Sequence, residues 1–176
     1  MRRMQESYGL PHHSRFTRSE EMTMGKQQNY HPRNNQNTQD VEVLFDPSKP
    51  KSELLDTIAE EQAKVLGKIN SNQLRRFFSD IKNLYRRLES RSQGKDPEIR
   101  RKVYQNEIEP LFKMVRSKAS YAMRKGGQGQ APREFCTFLQ EAIKRVPPSN
   151  VEAFELFTLH FEAVVGFLYG KGKVSK

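Results

Sequence analysis

Ser71-Asn72-Gln73-Leu74-Arg75-Arg76-Phe77-Phe78-Ser79-Asp80-Ile81-Lys82-Asn83-Leu84-Tyr85-Arg86-Arg87-Leu88 is the stretch whose spacing decides the fold. Its apolar side chains return at intervals of three and four, the period of one face of an α-helix. Asn70 or Ser71 supplies an N-cap oxygen for the first free backbone N–H groups. At about 100° per residue, Leu74, Phe77, Phe78, Ile81, Leu84, Tyr85 and Leu88 share one half of the helix. Arg75, Lys82 and Arg86 fall almost on a line on the other half, flanked by Arg76, Asn83 and Arg87, and Asp80 alone interrupts the positive arc. The spacing predicts a helix over 71–90 with one buried stripe and one cationic face.

The same period extends in both directions. Leu54, Leu55, Ile58, Ala59, Val65 and Leu66 predict a helix over 52–67, with Gly67 as its C-cap. Asp96 followed by Pro97 opens a third helix, and Ile99, Val103, Tyr104 and Ile108 carry it to a kink at Pro110. Leu111, Phe112, Met114, Val115, Tyr121 and Ala122 continue it to about Lys125, and Gly126-Gly127-Gln128-Gly129 follows as a flexible connector. A fourth helix spans 132–145 on Phe135, Phe138, Leu139, Ala142 and Ile143, and Pro147-Pro148 ends it. A fifth, capped by Ser149 or Asn150, runs on Val151, Phe154, Phe157, Phe161, Val164, Val165 and Leu168 to Gly170. The expected fold is all-α, a compact bundle of about five helices over 51–170, preceded by a disordered low-complexity extension over 1–50 and followed by a basic tail over 171–176. Val41, Val43, Leu44 and Phe45 are the exception within the extension, apolar enough to pair or dock locally.

Charge is distributed unevenly over the 176 residues, which suffice for one domain. There are 31 Lys and Arg against 21 Asp and Glu, a net +10. Residues 1–46 hold six of each sign, whereas residues 71–125 hold 15 basic against 6 acidic side chains, a net +9. Such a local excess calls for a polyanionic partner, nucleic acid first. Besides the face of 71–90, the second concentration is Arg116, Lys118, Arg124 and Lys125; Arg100-Arg101-Lys102 follows Asp96 and Glu98 and is partly neutralised by them.

Few residues are equipped for catalysis. Cys136 is the one cysteine, set in an apolar stretch, which excludes a disulfide framework and reads as a small buried hydrophobe. His160 reads as a partly exposed helix residue with no partner to make it a base, and His12, His13 and His31 lie in the low-complexity extension. The carboxylates are scattered rather than paired as a two-metal nuclease requires, and the glycine run at 126–129 lacks the Lys-Ser/Thr of a phosphate-binding loop. No enzyme activity, catalytic residue, metal site or cofactor is expected. The aromatic residues at helical spacing read as core. No run of about 18 apolar residues and no signal-peptide pattern occurs, so a soluble, cytoplasmic protein is expected.

Three segments resemble a known family: Ser71–Phe78 with Ile81-Lys82, then Lys113-Met114-Val115-Arg116-Ser117-Lys118-Ala119-Ser120-Tyr121-Ala122, then Phe161-Glu162-Ala163-Val164-Val165-Gly166-Phe167. In order and spacing they look like the small subunit of the type III-A CRISPR effector, the Csm complex. The resemblance covers about residues 52–170. It implies an all-helical, non-catalytic subunit whose copies stack head to tail as the inner filament of the complex. They would lie along guide RNA and target RNA, beside the backbone subunit that cleaves the target and towards the large subunit, in antiviral defence. Carried over to this sequence, it assigns RNA contact to Arg75, Arg76, Lys82, Arg116 and Lys118, while Arg86, Arg87, Arg124 and Lys125 rest on the helical wheel and the charge count. Two rivals remain at this stage: a helical DNA-binding regulator with a basic helix in a major groove, and a protein–protein oligomerisation adaptor whose positive face meets an acidic protein.

Overall fold

A computed structural model describes residues 41–124 and 130–176. The disorder expected over 1–40, the connector at 126–129 and Lys125 lie outside the described residues. The five expected helical rods are present. The first is broken: α1 (Lys51–Leu55) stops at Asp56, whose φ of −118° and ψ of −96° leave the helical region, and α2 (Thr57–Val65) resumes one residue later. Leu66 ends α2 in an extended conformation, so Gly67 does not act as the cap. α3 (Ser71–Ser92) is the 22-residue helix predicted from its stripe, with the Asn70 side chain accepting the Asn72 N–H at 2.9 Å.

The third rod departs from expectation at its bend. α4 (Pro97–Val103), capped by Asp96, runs into a π-helical turn over Tyr104–Ile108, and α5 (Glu109–Ala122) follows directly. The irregularity therefore sits one turn before Pro110, which lacks the N–H that a regular ladder would bond to the carbonyl of Asn106. The core-facing stripe of α5 is Ile108, Phe112, Val115, Ala119 and Ala122, at steps of four, three, four and three. Leu111, Met114 and Tyr121 each stand one residue ahead of that stripe, about 100° round the helix. They are exposed, although the periodicity groups them with the core. α6 (Arg133–Lys144) and α7 (Val151–Gly170) complete the bundle, α7 with Asn150 as its cap.

The core is aromatic. Phe45, Phe112, Phe135, Phe138, Phe154, Phe157 and Phe161 are fully buried. Phe157 stacks on Phe161, and Phe45 meets the Phe157 ring edge-on at 5.5 Å. Each such side chain contributes about 1.5–3 kcal/mol through burial. Phe45 lies before residue 50, so the packed chain begins earlier than the expected boundary. Leu44 N–H donates to Gln62 Oε1 at 2.7 Å, Gln62 Nε2 donates to the Glu42 carbonyl, and Arg145 donates to the Phe45 carbonyl at 2.8 Å. The segment docks on the bundle without forming a strand.

The far end is tied down as well. After Gly172, whose φ of +64° makes the turn, β2 (Val174–Ser175) pairs in parallel with β1 (Ile69–Asn70). Lys171 bonds Glu60 at 2.6 Å and Lys173 bonds the Leu66 carbonyl at 2.7 Å, near the C-terminus of α2. Two of the three tail lysines are thus engaged internally, and Lys173 is favourably placed against the C-terminus of α2.

Candidate nucleic-acid interface

α3 and α5 lie side by side with a groove of about 520 Å³ between them. Gln73, Arg76, Phe77 and Asp80 form the α3 wall, at the i, i+3, i+4, i+7 spacing of one helical edge. Ser117, Lys118 and Tyr121 form the α5 wall, and Arg124 and Gln130 close one end. Beyond Arg76 the surface dips again, past Gln73 and Gln130 to Lys68, Asn70 and Asn72 at the start of α3 and to Ser175 of β2. The two depressions share Gln73, Arg76 and Gln130 and together form a furrow lined by Lys68, Arg76, Lys118 and Arg124.

Residues 49–171 match the family model described as Csm2 Type III-A. The chain belongs to the Csm2 type III-A family. Neither a curated protein nor a solved structure matches it. Membership makes it a subunit of the type III-A CRISPR effector, whose partners lie within the Csm complex. The three segments that carry the resemblance meet in space. Lys118 on α5 bonds Asp80 on α3 at 2.7 Å, and Lys82 on α3 bonds Glu162 on α7 at 2.9 Å.

Within this Csm2 subunit the sequence-predicted cations fall into three groups. Arg75, Arg76 and Arg86 are exposed and make no salt bridge among the described residues. Arg75 and Arg86 stand on the outer ridge of α3, whereas Arg76 turns into the groove. A second group is paired but accessible: Arg87 with Glu107 at 3.1 Å and Lys118 with Asp80. Exposed pairs of this kind are worth about 0.2–1 kcal/mol, so an incoming phosphate displaces the carboxylate at little cost. Arg124 sits over the Tyr121 ring at 4.4 Å.

The third group is withdrawn. The Lys82 side chain is 18% exposed, bonded to Glu162 and 5.4 Å from the Tyr85 ring. Arg116 lies on the flank of α5 away from the groove, with its Nε enclosed and lacking a hydrogen-bond partner. Lys113 donates to the Ile143 and Val146 carbonyls at the end of α6, and burial lowers its pKa. Arg100 is spent on Glu89 and Glu155; burial opposes its charge, but the two carboxylates outweigh burial and raise its pKa. The neutralisation of the 100–102 run therefore comes partly from α3 and α7, with Glu98 pairing Arg101.

His160 is fully buried rather than partly exposed, its Nδ1 2.6 Å from the Leu54 carbonyl and its ring against Phe45 and Phe138. Burial pushes the Cys136 thiol up to about 12, a resting hydrophobe rather than a nucleophile. Among the described residues no three His, Cys, Asp or Glu side chains come together in a metal-holding group, and no helix is long and apolar enough to cross a membrane. Tyr121, Gln73, Ser117 and Gln130 are the groove residues that sequence reasoning missed. The clue available to it was Tyr121, an aromatic ring one position off the core stripe.

Proposed function

We propose that this chain is a non-catalytic, cytoplasmic RNA-binding subunit that lines the guide RNA and target RNA inside the type III-A effector. Its copies stack on one another as an inner filament between the backbone and large subunits and support antiviral defence. The observation that carries this reading is the set of exposed cations on α3 and in the adjoining furrow, opposite a filled core. Arg75 to Arg86 spans about 16 Å of helix, roughly the axial length of five nucleotides of one strand. Arginines without an internal partner lose no existing ion pair when they meet a phosphate. Contacts of this kind position a backbone and read little sequence.

The test is direct binding of nucleic-acid-free protein to single-stranded RNA, with sequence-varied duplex DNA as competitor. RNA binding that changes little with sequence and resists duplex competition is expected, weakened by Arg75→Glu with Arg86→Glu. Selective binding to one duplex DNA sequence would move the assignment to a regulator, and absence of RNA binding would move it to an adaptor.

A further inference from the structure

The α3–α5 groove has features that a phosphate track alone does not need. Tyr121 is 65% exposed at its rim, an unusual position for a large aromatic side chain in a bundle that buries most of its rings. Arg124, at 4.4 Å from the ring centroid, steadies the ring through a cation–π contact yet leaves most of its surface open. Around it stand neutral hydrogen-bonding groups, the Ser117 hydroxyl and the Gln130 amide. Gln130 Nε2 donates to the Met123 carbonyl at 3.1 Å, which fixes the amide and leaves its oxygen as an acceptor. At about 520 Å³ the groove falls within the roughly 300–1,000 Å³ of small-ligand sites.

We infer that this groove is a nucleobase subsite: one unpaired base of a bound RNA leaves the strand and stacks on Tyr121, while Arg76 and Lys118 hold the phosphates on either side. The inference rests on the RNA-binding reading above and adds to it a base-dependent contact. Stacking on an aromatic ring accepts any base, because every base has a π-face. The Gln130 amide oxygen and the oxygen of the Ser117 hydroxyl, whose proton goes to the Met114 carbonyl, are acceptors for its edge without demanding one identity. Lys118 reaches the phosphate by releasing Asp80, which then faces the groove as a further acceptor for a base amine.

The experiment compares an oligouridine with an abasic ribose-phosphate oligomer of the same length, each titrated against the full chain. The wild-type protein is expected to prefer the oligouridine by about fivefold to a hundredfold, the range of one aromatic–base stack. Tyr121→Ala should bind both oligomers alike and Tyr121→Phe should keep the preference. Tyr169→Ala, at an exposed tyrosine of α7 outside the groove, is the control and should match wild type. Equal wild-type affinity for the two oligomers overturns the subsite and leaves the phosphate reading standing. A preference that survives Tyr121→Ala overturns it equally. Binding to neither oligomer removes the RNA reading and the subsite with it.

Discussion

His160 shows how much a single residue's setting departs from its sequence pattern. A carbonyl only accepts, so the 2.6 Å contact from Leu54 O places the proton on Nδ1 and leaves Nε2 as a buried lone pair without a partner. Burial lowers the ring's pKa from its ordinary 6.5, and the Leu54 bond offsets this only in part. The unfolded chain then binds a proton that the folded chain refuses, so stability is complete above about pH 6.5 and falls as the pH drops below it. Urea midpoints measured from pH 7.5 to 5.5 should decline in the wild type and stay nearly level in His160→Gln. A level wild-type profile contradicts the assigned state. The helical spacing placed His160 beside the stripe, but nothing local showed that Phe45, from more than a hundred residues earlier, covers it. Among the candidate cations the same limit applies: Arg75, Arg76 and Arg86 were legible from the wheel, whereas the pairing of Lys82 with Glu162 joins residues 80 apart and no local pattern reveals it.

Whole helices were the most legible feature, because an amphipathic period of some twenty residues has few alternative readings. α3, α6 and α7 match their expected spans closely. Their ends and interruptions were not legible where tertiary packing sets them: the break at Asp56, the π-helical turn at Tyr104–Ile108 and the short β1–β2 ladder. Tyr104, the first residue of that turn, packs its ring on Phe154 and has its hydroxyl buried without a partner, and burial with Glu109 nearby raises its pKa. Residues 41–50 illustrate the same point with larger energetic weight. Phe45 fills the core between Phe157 and His160, so Phe45→Ala should cost about 3–5 kcal/mol. Chemical denaturation checks this; a loss below about 1 kcal/mol would mean that the segment is an appendage rather than part of the core.

At the scale of the molecule, the +9 over residues 71–125 is real in sequence but only partly available in space. Lys82, Lys113 and Arg100 bond other parts of the bundle and the Arg116 Nε is enclosed, while Arg75, Arg76, Arg86, Arg87, Lys118 and Arg124 stay accessible as the surface proposed to meet a polyanion. Folding thus divides one charge excess into a structural set and an accessible set, and on the proposed reading the accessible set releases counterions from RNA. With about five phosphates engaged on single-stranded RNA, the logarithm of affinity should fall against the logarithm of salt with a slope near −3.5. The salt dependence of RNA affinity, compared between the wild type and Arg75→Glu with Arg76→Glu, tests the account most directly. A wild-type slope of several units that becomes shallower by about 1.5 in the double variant is the predicted result, and a slope identical in both proteins would contradict it.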